Sequence, residues 1–332
     1  MASLITTIPS FVFPYELNQL TISSYSKVHI SIHYNNKQIL NTSLFPIDGT
    51  IELDNLSSLI VDYLKSEISE LRIVLDGLLV ASTKVVPNNL DVDVTAQECR
   101  LYTFLTRTTV KYTHPAAKEL LHFVYNSETR GSVTAVAIKN GVVSTREQQL
   151  SFTLSGGIAT LDVSPSVLFS LDDYKLVEYT VRVGERTMKY KMIPNGMVDT
   201  LHEYGFINSF LQEEYITLMG DAERELKTER MHAYIGGLYR NFKVEPIPHW
   251  TISTIIPDGM AGTFDDFIAA EEVWRKTDSC LLAVVDSKDT TSSSSSAVNE
   301  GSITLREAGR TYRHRPVRPV RTFDKTFDDT FL

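Results

Sequence analysis

The feature that most constrains the fold is an alternation of apolar and polar residues through the first two hundred positions. Successive side chains of a β-strand point to opposite faces of a sheet, so this period predicts strands with one buried and one solvated face. Turn signals such as Asn140-Gly141 separate several of these runs. The segments that we predict as strands are 28–34, 50–56, 70–82, 132–144, 149–154 and 175–193. Helical patterns are scarce, and segments 57–68 and 114–125 fit a helix and a strand equally well.

The first two hundred residues also match themselves. The segment that starts at Gly49 aligns with the one that starts at Gly157 at an offset of 108 residues. Residues 72–88 align with 179–195 at an offset of 107, which places Gly77 on Gly184. A duplicated domain with one inserted residue leaves two such offsets, although alternating sequences also resemble each other by chance. Strand-rich copies of about a hundred residues have the profile of a small β-sandwich.

The sequence pattern changes after residue 197, where the predicted strands become longer. Residues 214–221 and 223–259 read as long β-ribbons, with Gly236-Gly237 as a hairpin turn. Residues 263–276 have helical spacing of apolar residues behind a threonine N-cap. Residues 303–305 leave open whether a last strand rejoins the sheet.

We therefore predict a mainly β protein with tandem small β-sandwich-like domains, a third β-rich domain with one helix, and an extended C-terminal arm. The predicted division is 1–98 and 99–196 for the sandwich-like domains, 197–289 for a β-ribbon domain with helix 263–276, 290–302 for a serine-rich linker or loop, and 303–332 for the arm.

Composition narrows the class of protein. A net charge of −9 argues against a surface that tracks nucleic acid throughout. Two cysteines, Cys99 and Cys280, are too few and too far apart for a disulfide framework or a four-cysteine zinc site. We find neither a signal peptide nor an apolar stretch long enough to span a bilayer, so we expect no membrane anchor and synthesis in a cytoplasm.

A search for catalytic motifs finds none of the usual phosphate, dinucleotide, acyl-transfer or zinc patterns. His29 and His33 share a strand face that we expect to be solvated, and Glu119 with His122 forms an isolated E-x-x-H that we interpret as local packing. We interpret Asp265 and Asp266 in the predicted helix as dipole and solvent-face charges, like Glu271 and Glu272 after them. We expect no enzyme activity, no catalytic residue, no metal site and no cofactor.

The C-terminal region combines a basic run with a repeated Thr-Phe-Asp pattern. Residues 306–321 carry a net charge of +5, and the three phenylalanines that follow are spaced by four, so a helix or a strand would hold all three on one face. An exposed apolar stripe is a liability, so we expect it to dock on another subunit, with the arginines leading it there. DNA contact by the basic run stays open but is disfavoured by the acidic chain. The predicted docking residues are Phe323, Phe327, Phe331, Arg310, Arg313, Arg315, Arg318 and Arg321.

Several stretches resemble a family of tail-region proteins of tailed phages and prophages of gut Bacteroidales, including crAss-like phages. They are residues 104–123, residues 205–244 with the turn YIGGLYRN at 234–241, and the closing TFDKTFDDTF. The serine-rich tract departs from the family pattern, which has a short loop there. The resemblance implies a non-enzymatic structural subunit of a ring, hub or baseplate-like layer of the virion tail. It also implies a homo-oligomeric ring, contacts with neighbouring tail or neck proteins, and no cofactor.

Two other classes of function remain open at this stage. Tandem β-sandwiches also serve as host-surface or glycan-binding modules, and Trp250, Trp274 and the fifteen tyrosines supply aromatic rings for stacking. A tail-associated hydrolase is the third class, and the absence of any catalytic constellation argues against it.

Overall fold

A computed structural model of the chain describes residues 2–89, 94–128, 130–169, 174–194, 196, 200–235, 238–257, 259–277, 281–288 and 298–308. Strands account for 57% and helices for 11%, which confirms the predicted mainly β class with few helices.

The first unit is a two-sheet sandwich built from the alternating segments near the N-terminus. One sheet has the order β2-β8-β7-β4-β5, with β2 parallel to β8, and the other has the order β1-β3-β6. Alternate residues such as Ile30 and Ile32 on β4 and Ile73 on β7 fill the core between the sheets. Its elements are β1 (Ser3–Leu4), β2 (Phe11–Val12), β3 (Gln19–Ser23), β4 (Val28–Tyr34), β5 (Lys37–Leu44), β6 (Thr50–Asp54), α1 (Leu56–Val61), β7 (Ser69–Leu75) and β8 (Leu78–Val85), with a 3₁₀ turn at Pro14–Leu17.

The second unit is also a sandwich. Its sheets have the orders β9-β16-β15-β11-β12 and β10-β14-β13, with β9 parallel to β16. Its core includes the stacked rings of Tyr179 and Tyr190, whose centroids lie 4.7 Å apart. The elements are α2 (Ala96–Tyr102), β9 (Val110–Thr113), β10 (Leu120–Val124), β11 (Gly131–Lys139), β12 (Val142–Leu150), β13 (Thr153–Ser155), β14 (Ile158–Asp162), α3 (Pro165–Leu168), β15 (Lys175–Val183) and β16 (Arg186–Met192).

The five-stranded sheets of the two units share one strand order and one pattern of strand direction. The offset between the two copies of the internal repeat changes from 108 to 107 residues at a β-bulge. Val80 in β8 has no partner in β7, whereas β16 pairs with β15 without a shift, so the first unit has one more residue at this point. The turn glycines are therefore not equivalent: Gly77 is the second residue of its hairpin turn and Gly184 is the first.

The third unit is a closed six-stranded barrel with a long ribbon. Its strands follow the order β18-β17-β21-β22-β23-β20, and Met219 of β18 pairs with Ile255 of β20 to close the ring. Helix α4 contributes Phe264 and Phe267 to the barrel core. The elements are β17 (Leu201–Ile207), β18 (Glu213–Met219), β19 (Ala222–Ile235), β20 (Leu238–Pro257), α4 (Ala261–Ala269), β21 (Val273–Arg275), β22 (Leu281–Lys288) and β23 (Val298–Glu307).

Three predicted boundaries differ from the structure. The helix predicted over 263–276 is wrong in its extent: α4 ends at Ala269, Ala270 is extended, and Val273–Arg275 forms a strand between β17 and β22. Residues 298–307, divided between the predicted linker and arm, form β23 in the barrel wall. The predicted boundary between residues 98 and 99 falls inside α2.

The three units join around one apolar cluster. Phe13 from the first unit, Ile158 from the second and Phe210 before β18 pack in it with the α2 thiol of Cys99, whose pKa burial raises to about 11. Backbone and side-chain hydrogen bonds run between the units: Ile68 N–H to Gly156 O, Asn89 N–H to Ser209 O, and Gln212 Nε2–H to Ser66 O, each 2.9 Å. The units therefore form a packed block.

Candidate assembly surfaces and the buried contacts that support them

A two-stranded ribbon projects from the barrel. β20 pairs with the barrel strand β23 only from His249 to Pro257, whereas β19 pairs with β20 from Ala222 to Ile235. The ten residues of β19 from Leu226 onward therefore extend about 30 Å beyond the barrel wall. The strand ends at Ile235 and β20 begins at Leu238, on either side of the predicted Gly236-Gly237 turn, which lies outside the described residues.

The ribbon exposes apolar and aromatic side chains near its end. Tyr234 is 70% and Tyr239 is 76% exposed, and their rings meet edge to face at 6.2 Å. Leu226 and Met231 are also more than half exposed. An isolated two-stranded hairpin is marginally stable in water, and exposed apolar side chains that meet on it, as Tyr234 and Tyr239 do, indicate an interaction site. The ribbon is therefore the strongest candidate for an assembly surface among the described residues.

Two smaller apolar surfaces lie on the sandwiches. In the first unit, Tyr25, Phe45 and Ile47 are all largely exposed in the loops next to β3 and β5. In the second unit, Val142 and Val143 are exposed at the start of the edge strand β12. Each is a secondary candidate for contact with a neighbouring subunit.

A buried lysine joins the second unit to the barrel. The ammonium nitrogen of Lys111 on β9 lies 2.6 Å from Glu214 Oε1 on β18 and 3.8 Å from Glu119 Oε2, and all three side chains are buried. Lys111 also donates to the carbonyl oxygen of Tyr215 at 3.1 Å. Asn208 donates to the other oxygen of Glu214 at 2.6 Å. Two carboxylates thus share one buried ammonium.

This arrangement raises the pKa values of both Glu119 and Lys111, for different physical reasons. Burial raises the pKa of Glu119 to about 7, although the positive charge of Lys111 partly opposes the rise. Burial alone would lower the pKa of Lys111, but the charges of Glu214 and Glu119 reverse this, and its pKa is raised. Glu119 is therefore the member of the group that takes up a proton near neutral pH.

A second ionic contact between the same units lies closer to solvent. Glu203 on β17 lies 2.7 Å from the Lys276 ammonium, and its other oxygen lies 3.4 Å from His114 Nε2. Glu203 also accepts from the Lys118 N–H at 3.2 Å. Burial works against ionisation of Glu203, but hydrogen bonds from His114 and Lys276 hold its pKa below the ordinary value of 4.5.

Arg186 is buried inside the second unit, where β16 meets α2. Its guanidinium stacks on the ring of Phe123 at 4.8 Å, pairs with Glu128 at 2.7 Å, and donates to the Val124 carbonyl oxygen at 2.9 Å. It also donates to the Arg100 carbonyl oxygen in α2. Planar geometry with several donors suits arginine for such a joint.

Asp266 differs from the sequence interpretation, because its side chain is buried and not on a solvent face. It accepts from the Ser209 hydroxyl at 2.9 Å and pairs with Arg107 at 3.3 Å, and burial raises its pKa. It lines a cleft of about 330 Å³ between the first unit and the barrel. Since its oxygens already have partners, the carboxylate acts as a joint between the units.

Other candidates from the sequence have structural roles. His122 is bonded at both ring nitrogens, to Thr160 and to the Glu213 carbonyl oxygen at 2.9 Å each, and burial lowers its pKa. This agrees with local packing of Glu119 and His122. His29 is exposed and His33 is half-buried on the outer face of β4. In the part of the chain that the structure describes, no group of three or more His, Cys, Asp or Glu side chains is placed to hold a metal ion.

The predicted docking residues of the arm cannot be placed in this geometry. The eight residues named from the sequence, Phe323, Phe327, Phe331, Arg310, Arg313, Arg315, Arg318 and Arg321, lie outside the described residues, so their role stays a prediction. Sequence reasoning missed the Lys111, Glu119 and Glu214 group. The only signal was the presence of charged residues in apolar strand patterns.

No protein-family model matches this chain, and no curated protein matches it significantly. Of the helices within the described residues, none combines the length and the apolar character needed to cross a bilayer.

Proposed function

We propose that this chain is a non-enzymatic structural subunit of a phage virion tail, in a ring, hub or baseplate-like layer, made in the cytoplasm of the bacterial host. The observation that carries the proposal is the ribbon of β19 and β20, which exposes Leu226, Met231, Tyr234 and Tyr239 well outside the barrel. A free protein gains nothing from such a surface, whereas a subunit buries it against a neighbour.

The packed block supports the same role. The buried Lys111–Glu214 pair and the hydrogen bond from the Lys118 N–H to Glu203 tie the second sandwich to the barrel. The hydrogen bond from Gln212 to the Ser66 carbonyl oxygen ties the first sandwich to the barrel. A subunit of a closed ring needs fixed angles between its contact surfaces, because small rotations at each interface add up around the ring. The fold therefore suits a homo-oligomeric ring that also contacts neighbouring tail or neck proteins.

The charge distribution supports docking of the arm on an adjacent subunit. Residues 197–308 contain 19 aspartates and glutamates against 9 lysines and arginines, whereas residues 309–332 contain 6 lysines and arginines against 3 aspartates. A tethered basic arm gains local concentration near an acidic neighbour, so a modest interface is sufficient. DNA contact is disfavoured because the acidic residues of the neighbouring subunit attract the same basic arm.

Deletion of residues 309–332 in a phage that encodes the chain tests the proposal. We expect a folded protein, because β23 ends at Glu307 and the barrel stays closed, but loss of the chain from purified particles. The matched control substitutes alanine for Thr322, Thr326 and Thr330, which keeps the phenylalanines and arginines, and it should be incorporated normally. Normal incorporation of the deleted chain would contradict arm docking.

The glycan-binding alternative has less support. The ring of Trp250 is covered by the Arg275 guanidinium at 5.1 Å, and Trp274 packs on Gly205 in the barrel wall. Each tryptophan ring is therefore in part used for packing inside the protein, which leaves less of it for stacking on a sugar.

A further inference from the structure

The two long edges of the ribbon differ in their capacity to pair. Among the described residues, β19 has β20 on one side and no strand on the other. The outer edge of β20 carries Pro246 and Pro248 before it reaches the barrel. Proline lacks an N–H and is tolerated in sheets where its nitrogen faces away from the neighbouring strand. The β20 edge is therefore interrupted, and the β19 edge has no proline between Ala222 and Ile235.

The prolines also show which backbone groups of β19 point outward. Pro246 lies opposite Thr228 and Pro248 lies opposite Leu226. Because the proline nitrogens point away from β19, these are the pairs without mutual hydrogen bonds. The N–H and C=O groups of Thr228 and Leu226 must then point to the outer edge of β19, where a further strand can bind them.

We propose that two copies of this chain pair through their β19 edges, forming a four-stranded antiparallel sheet with the order β20-β19-β19′-β20′. One open edge and one interrupted edge cannot join copies head to tail through the ribbon, so the pairing is self-complementary and closes at two copies. This contact goes beyond the proposed function, because it concerns two free chains and does not depend on a virion.

Symmetry and charge select the register. The two-fold axis lies perpendicular to the sheet, and residues that lie opposite each other in a sheet point to the same face. An even-numbered residue can therefore lie opposite only an even-numbered one, and an odd-numbered residue opposite only an odd-numbered one. The register centred on Thr228 pairs residues 222–234 of one copy with residues 234–222 of the other. It places Lys227 of each copy opposite position 229 of the other copy, which is a glutamate, so the sheet contains this pair twice. It sets no acidic residue opposite an acidic one and no lysine or arginine opposite another. Every register centred one or two residues away places like charges opposite each other. The register centred on Leu226, for example, places Glu223 opposite position 229, which is also a glutamate.

Charge reversal in the full-length chain tests the register. Native mass spectrometry and light scattering at tens of micromolar should detect a dimer of the wild-type chain. Lys227→Glu and Glu229→Lys should each weaken dimerisation tenfold or more, because each creates two like-charge pairs, and the double variant should restore it. Lys65→Glu, on the exposed surface of the first unit, should leave the dimer unchanged.

Site-directed cross-linking gives a second readout. In a Cys280→Ser background, where Cys99 is buried and unreactive, a bifunctional thiol reagent spanning one strand spacing should link Thr228→Cys across the axis. It should not link Leu226→Cys, which lies about 13 Å along the strands from its symmetry mate. A wild-type chain that stays monomeric, a double variant no better than the single ones, or equal linkage at both positions overturns the proposal.

Discussion

Replacement of Glu119 by glutamine should remove a specific pH dependence of stability. The folded-state pKa of Glu119 is raised by burial from 4.5 to about 7, so folding takes up a proton at this carboxyl. The stability associated with the protonated carboxyl is fully present below pH 4.5 and is lost as the pH rises to about 7. A rise of this size corresponds to a loss of about 3 kcal/mol.

The glutamine variant carries the protonated carboxyl's shape without its titration. The difference in free energy of unfolding between Glu119→Gln and the wild type should therefore grow by about 3 kcal/mol between pH 4.5 and pH 8, in favour of the variant. Lys111 keeps Glu214 as its partner at 2.6 Å in the variant, so the buried ammonium stays neutralised.

Urea unfolding at pH 5, 6, 7 and 8 measures this difference, and other titrating groups cancel because they are present in both proteins. Glu223→Gln, at an exposed carboxylate of the ribbon, is the matched control and should follow the wild type at every pH. If the difference between Glu119→Gln and the wild type stays constant from pH 5 to pH 8, burial does not raise the pKa of Glu119 and the reasoning is wrong.

Three further predictions concern the packing of the block. Lys111→Met should destabilise the chain by about 3–5 kcal/mol in a urea titration, because it leaves Glu214 buried without a cation. The control Lys189→Ala, at the more exposed pair with Glu178, should cost about 1 kcal/mol or less in the same titration. Gly205→Val should cost about 1–3 kcal/mol, since any Cβ there meets the Trp274 ring, and an unchanged melting temperature would contradict this. Replacement of residues 227–247 by a short turn should leave the free energy of unfolding of the barrel within about 1 kcal/mol of the wild type, because the ribbon contributes little to the barrel core. Loss of the cooperative melting transition would refute a projecting ribbon.

Sequence reasoning identified most strands because their periodicity comes from local physics. Residues 28–34 form β4, and the Asn140-Gly141 turn joins β11 to β12, since alternation and turn residues report which side of a sheet is buried. Segments 70–82 and 175–193, each predicted as one strand, are hairpins that turn at Asp76-Gly77 and at Gly184-Glu185. Segment 57–68 contains most of the short helix α1, and segment 114–125 contains β10. Its apolar residues fit both periods, and pairing with β14 decides between them.

The contacts between units could not be read from the sequence. Val273 and Trp274 continue the helical spacing of α4, and only their pairing with β17 and β22 makes them a strand. Barrel closure depends on contacts between β18 and β20, such as the pairing of Met219 with Ile255 and the hydrogen bond from Met219 N–H to Thr254. Burial of Lys111 depends on Glu214, over a hundred residues away in the chain, and no local pattern records such a partner.

A reconstruction of purified virions at subunit resolution would show the proposed assembly itself. We expect several copies of this chain arranged cyclically around the tail axis, with the ribbon of β19 and β20 buried against a neighbouring subunit. Absence of the chain from the particles, or its presence with the ribbon free in solvent on every copy, would refute the proposed role.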